Sequence, residues 1–134
     1  VKFKQLESTS KLQYREVALA KVSQDCQDHG RTAVIAGHYL LWNAETEPKG
    51  LVVGIEKDWR TYTHIIYLNT DPIVIVHRIK TGTHRKRPVT SVEDLYEWQD
   101  QERHSLREIC RERGILFTTL SSDTFSSAKR SQTT

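Results

Sequence analysis

Methionine is absent from the 134 residues, proline occurs three times and cysteine twice. Without Met there is no initiator, which a processed start or a piece of a longer chain would each explain. Cys26 and Cys110 form neither a CxxC pair nor a Cys/His spacing, which excludes a zinc finger and a disulfide framework. Two reduced, partly buried thiols are expected instead, as in a cytoplasmic protein. No apolar run approaches the roughly 18 residues that cross a bilayer. No signal-peptide pattern opens the chain, so no membrane partner is expected. The six histidines are scattered, with no pair at metal-ligand spacing. From Pro72 to Val92 there is no Asp or Glu, while Arg78, Lys80, Arg85, Lys86 and Arg87 all fall there. No aromatic residue lies in that stretch either, which argues against a nucleic-acid partner. The phosphate cradle G-x-x-x-x-G-K-[ST] occurs nowhere.

What is present describes an ordered domain. Apolar residues make up 37% of the chain and sit in separated clusters, enough for one core. Leu12, Leu19, Val22 and Cys26 recur at helical spacing and predict a helix over roughly residues 10–29, stopped at Gly30. Thr32 to Ala36 is short, β-branched and uninterrupted up to Gly37, and predicts a strand buried on both faces. Tyr39 to Trp42 continues apolar, Asn43 to Gly50 reads as a loop, and Leu51 to Ile55 reads as a short edge strand or part of that loop. His64 to Leu68 is a second buried strand. Asp71 and Pro72 then cap and open a helix over Ile73 to Ile79. A basic loop follows. Ser91 with Asp94 starts a long helix buried through Leu95, Trp98, Leu106 and Ile109 and ended by Gly114. Ile115 to Leu120 is a third strand.

The alternation predicts an α/β fold, a three-layer α/β/α arrangement with a mostly parallel sheet. Residues 1–120 are expected to form one domain with a basic lid loop around 80–90, and residues 121–134 a flexible Ser/Thr-rich tail. In such sheets ligands bind beyond the carboxyl ends of the strands, here Gly37-His38, Asn69-Thr70 and the region after Leu120.

Local charge marks the candidate site. Arg85 and Arg87, after a helix carrying Arg78, can close over phosphate oxygens, which match the guanidinium fork. The alternative is a solvated basic loop. Gly37 permits backbone to approach a ligand closely; a simple turn glycine is the alternative. His38 beside it could bind substrate or be structural. Arg15 on the first helix, and Arg103 with Arg107 on the last, read by themselves as surface charges.

Together these residues resemble the P-loop small-molecule kinases, especially the shikimate-kinase-like and nucleotide-kinase-like branch, and also a group of fungal kinase-like proteins of unassigned substrate. The resemblance runs from Tyr14 to Leu120. Tyr14-Arg15 is similar to the family's aromatic–Arg pair, whose Arg contacts the acceptor. Ala33-Val34-Ile35-Ala36-Gly37 is similar to the strand bordering the acceptor pocket. Ile65 to Leu68, Asp71-Pro72, Arg78 and Arg87-Pro88 resemble the run into the mobile lid, and Arg103 the arginine after it. The first strand, the phosphate loop and its Lys have no counterpart, and the glycine run is reduced to Gly37-His38.

The resemblance implies catalytic roles for Arg78 and Arg87, and cofactor contacts from Arg78, Arg85 and Arg87. It implies acceptor contacts from Arg15, Gly37, His38 and Arg103. ATP and Mg are implied if the phosphate loop is supplied upstream. It implies the later portion of an ATP-dependent phosphotransferase, inactive in isolation, or a non-catalytic kinase-derived anion-binding or scaffold domain. The expected partners are a small phosphorylated or anionic ligand and, through an uncovered sheet edge, a second copy of the chain.

Overall fold

The computed structural model describes residues 2, 5, 7–82 and 90–122. In order these form α1 (Ser8–His29), β1 (Leu40–Trp42), β2 (Gly50–Val52), α2 (Glu56–Thr61), β3 (His64–Asn69), α3 (Pro72–Thr81), α4 (Val92–Arg113) and β4 (Leu116–Ser121). The long helices end as their sequences predict. Gly30 and Gly114 take left-handed φ of 59° and 68°, where a side chain would cost roughly 1 kcal/mol or more. Each donates its N–H back to a helix carbonyl, of Cys26 and Cys110 respectively. The Asp71 carboxylate accepts from Ile73 N at 2.9 Å and so caps α3, and Ser91 Oγ accepts from Asp94 N at 3.1 Å and caps α4.

β3 and β4 pair in parallel, from His64 opposite Leu116 to Asn69 opposite Ser121. The connection between them runs through α3 and α4, so the fold is α/β with a parallel sheet. β1 and β2 form a separate antiparallel hairpin. The buried core comprises Leu40, Tyr67, Leu95, Leu106, Cys110 and Ile115, with Leu19 contributed by α1.

α4 holds the hairpin with three residues spaced four apart, hence on one helix face. Asp94 accepts from Trp42 Nε1 at 3.4 Å, Trp98 Nε1 donates to Leu40 O at 2.9 Å, and Glu102 accepts from Leu40 N at 2.8 Å. Both backbone groups of Leu40 are therefore satisfied by side chains of one helix, which a short two-stranded hairpin needs.

The strand expected over Thr32–Ala36 is not formed. Residues 31–38 are irregular and exposed, with Val34 at 94% of its full exposure. No described strand lies beside this run, so its backbone stays solvated whatever its propensity. The element read at Leu51–Ile55 is the strand Gly50–Val52, and it is followed by α2, a helix the sequence pattern had not signalled.

Leu116 N donates to Thr63 O and Ser122 N to Asn69 O, both at 3.1 Å. The backbone groups of Leu116, Thr118 and Leu120 therefore face β3, and those of Phe117 and Thr119 face outward. On β3, by the same alternation, His64, Ile66 and Leu68 present their backbone outward. Side chains alternate too. Tyr67 and Phe117 face α4, the first through its hydroxyl to Gln99 O and the second beneath Arg107. Ile66, Leu68, Leu116 and Leu120 lie on the opposite face, 41–63% exposed, with no described element over them.

Candidate functional site

The carboxyl ends of β3 and β4 open into a cleft of about 580 Å³ between the β3–α3 turn and α4. Asn69, Thr70 and Asp71 line one side, and Tyr96, Glu97, Gln99, Asp100 and Arg103 the other. Gln99 Nε2 donates to Thr70 O at 2.8 Å, the Tyr67 hydroxyl donates to Gln99 O at 3.3 Å, and the hydroxyls of Thr70 and Ser122 are hydrogen-bonded to each other. This ladder fixes both strand ends against the helix. Burial, and then the charge of Glu102, push Tyr67 up to about 12, so its hydroxyl remains a donor at neutral pH.

Charge in the cleft is partitioned. Asp71 caps α3, Asp100 accepts from Arg103 Nη2 at 3.0 Å, and Glu97 stands 3.5 Å from Lys49. Arg103 is the single cation lining the cleft among the described residues. One of its five N–H groups is used by Asp100, so the fork still has donors for an oxyanion.

The other candidate residues do not line this cleft. Arg15 is committed to Asp58, with Nε to Oδ2 at 2.9 Å and Nη2 to Oδ1 at 3.0 Å. Asp58 is fully buried and also accepts from Ile55 N and from the Tyr62 hydroxyl, each at 2.8 Å. Burial and this contact with Asp58 push Tyr62 up to about 12. The group clamps α1 to the start of α2. Gly37 is exposed, and a Cβ there would meet nothing within 4 Å, so no described neighbour requires glycine. His38 is exposed, its ring 6.2 Å from Trp98 and beside Glu102. Burial raises the Glu102 carboxyl above its usual range, while the Leu40 N–H and His38 oppose that shift. Arg78 is exposed on the last turn of α3, without a side-chain partner among the described residues. Arg85 and Arg87 lie outside the described residues.

Of the strand ends named from the sequence, Asn69-Thr70 lines the cleft, with Arg103 opposite, whereas Gly37-His38 does not. Sequence reading missed Asp58 and Glu102. An acid in the first turn of a helix was the available signal for Asp58, but α2 itself had not been recognised. Glu102 continues the Asp94–Trp98 row, which becomes meaningful only once the hairpin is seated against it. Among the described residues no group of three or more His, Cys, Asp or Glu side chains could hold a metal ion, and no helix is long and apolar enough to cross a membrane.

A family model described as AAA domain matches residues 2–96. Comparison with curated proteins gives no match.

Proposed function

The chain belongs to the AAA-domain family, of P-loop NTPase type, and from that premise we propose that it is the later portion of an ATP-dependent small-molecule or nucleotide phosphotransferase. Nucleotide and Mg binding go with this fold in general. The described residues do not build that site alone. They include no group of three or more His, Cys, Asp or Glu side chains that could hold a metal ion, Asp71 and Asp100 in the cleft are already engaged, and the sequence contains no phosphate cradle. In the proposed role Arg103 binds an anionic group at the cleft. Arg78, with Arg85 and Arg87 after it in sequence, neutralises phosphoryl charge, which is mainly a positioning and electrostatic task. Gly37 and His38 serve the acceptor, whereas Arg15, committed to Asp58, holds α1 in place.

The observation carrying this reading is the unfinished sheet. β3 has an outward backbone edge, the sheet has an apolar face with Ile66, Leu68, Leu116 and Leu120 exposed, and Val34 lies open in a β-branched run. Parallel sheets are ordinarily covered on both faces. A further strand-and-helix unit, the kind that carries a phosphate loop, would cover all three places. The second reading, a non-catalytic anion-binding or scaffold domain, is favoured by Arg15, whose guanidinium is committed to the buried Asp58 instead of an acceptor.

The test is to sequence the coding region ahead of Val1 and assay ATP-dependent phosphotransfer by the complete product and by residues 1–134. A strand and G-x-x-x-x-G-K-[ST] upstream, with transfer only by the longer chain, is expected. Absence of both motif and transfer leaves the non-catalytic reading standing.

A further inference from the structure

We propose that the outer edge of β4 is a docking site for an extended, acidic segment of a partner protein, added to the sheet as a neighbouring strand. A groove of about 610 Å³ runs there between α4 and β4. Its floor is apolar: Cys110 and Ile115 are 2% and 7% exposed, and the Phe117 ring lies under Arg107, whose guanidinium carbon is 5.7 Å from the ring centroid. Its rim is basic, with Arg107 and Arg111 one helical turn apart. Arg111 reaches Glu108 at 2.6 Å but is itself largely exposed, so the pair is easily exchanged for another carboxylate. Along this groove the backbone groups of Phe117 and Thr119 point outward, and they have no partner among the described residues. An added strand would satisfy them, as in β-augmentation.

The spacing specifies the partner further. Arg107 and Arg111, the two arginines that rim the groove, lie four residues apart, about 6 Å along the helix. Alternate residues of a strand are about 6.6–6.8 Å apart. A strand with Asp or Glu at every second position would therefore present its acids to successive arginines, and the mismatch of under about 1 Å per step is within reach of a flexible side chain.

The chain does not supply such a strand itself. The four strands among the described residues contain no acidic residue, and the sequence of residues 123–134 holds one Asp against a Lys and an Arg. The alternating pair Glu45 and Glu47 sits in the turn between β1 and β2, where Asn43 accepts from Glu45 N and Thr46 N. A partner chain fits better than a second copy.

The experiment uses the full 134-residue chain and a fluorescein-labelled peptide, Thr-Glu-Val-Glu-Val-Glu-Thr, followed by anisotropy at two salt concentrations. The same residues with the three acids contiguous form the comparison peptide. The alternating peptide is expected to bind more tightly, more weakly in high salt, and at least about tenfold more weakly to Arg107→Glu. Thr119→Pro should abolish binding. It removes an outward N–H while the β3–β4 ladder uses Thr118 and Leu120, so circular dichroism should show an intact fold. Ile66→Pro, on the opposite edge of the sheet, should leave affinity within about twofold. Hydrogen exchange should show Phe117 and Thr119 amides gaining protection with peptide. Equal binding of both peptides with Thr119→Pro unaffected would reduce the effect to charge attraction and overturn the proposal. So would no binding, or peptide-free, concentration-dependent protection of the two amides, which would assign the edge to a second copy.

Discussion

Replacing Asp58 with alanine should detach α1 from the rest of the molecule. α1 is otherwise weakly held, because Leu19 is its single buried residue. The Asp58 carboxylate is fully buried and accepts four hydrogen bonds, two from Arg15 and one each from Ile55 N and the Tyr62 hydroxyl. Breaking a wholly buried ion pair costs roughly 3–5 kcal/mol, and an exposed one roughly 0–1 kcal/mol. The Arg15 side chain is 35% exposed and can turn to water, so the buried figure must be discounted. The donors of Ile55 and Tyr62 are less able to rehydrate. The expected loss is about 2–3 kcal/mol, a large part of a stability of about 5–15 kcal/mol. A chain of 134 residues falls between the size classes that shift about 4–8 and about 2–4 °C per kcal/mol, so at about 4 °C per kcal/mol Tm should fall by roughly 8–12 °C.

Urea denaturation read by tryptophan fluorescence, to which Trp59 on α2 contributes with its ring 5.6 Å from that of Tyr39, measures the loss. Hydrogen exchange locates it, and amides of Ser8–His29 should lose protection before those of α4. Arg15→Met should destabilise comparably, since it leaves the carboxylate buried without its cation. Arg60→Ala, in the exposed pair with Glu56, should change nothing measurable. A loss for Asp58→Ala no larger than that of Arg60→Ala, or undiminished protection across α1, would refute the reasoning.

Glu102→Gln keeps an oxygen acceptor for Leu40 N and removes the ionisation. Because burial raises the Glu102 carboxyl in the folded state above 4.5, the native protein binds that proton more tightly than the unfolded chain. Wild-type stability relative to Glu102→Gln should therefore fall as pH rises from 4.5 through the raised range, measured by denaturant melts across pH; a rise would refute it. Tyr62 and Tyr67, both pushed up to about 12 from 10, should ionise late in an absorbance titration, and stability should fall as pH climbs through 10 to 12. Self-association is proposed through the β3 edge and the bare face. Ile66→Asp should shift sedimentation toward monomer without lowering Tm, and unchanged sedimentation of an associating wild type would exclude that surface.

How far the fold was legible depended on where each element's partners lie. α4 carries its own signals, with Ser91 and Asp94 at one end, Gly114 at the other and a periodic face between, so its reading needed nothing distant. Asp71-Pro72 marked the start of α3 in the same way. Arg15 could not be placed by any local rule, because its partner is 43 residues away in a six-residue helix whose pattern is too short to register. The cleft was legible in outline, because the ends of parallel strands are where crossover turns and helix starts meet. Its charge pattern was not, since Asp100 and Glu97 acquire their meaning from Arg103 and Lys49.

Thr32–Ala36 and His64–Leu68 make the sharpest contrast. Both are β-branched runs of similar length, and propensity alone cannot separate them. The second becomes a strand because β4 satisfies one backbone edge and α4 covers one face, burying Tyr67 to 7% exposure. The first has neither, and Val34 stays in water. A run's strand propensity is realised only where a neighbour supplies hydrogen bonds and cover that exceed the cost of fixing its backbone, roughly 1–2 kcal/mol per residue. Under the proposed function, the open edge of β3 and the solvated Val34 would be one deficit seen on two segments. A strand inserted between them would order Thr32–Ala36 and bring Gly37 and His38 to a sheet end, where the resemblance to small-molecule kinases would have them meet an acceptor.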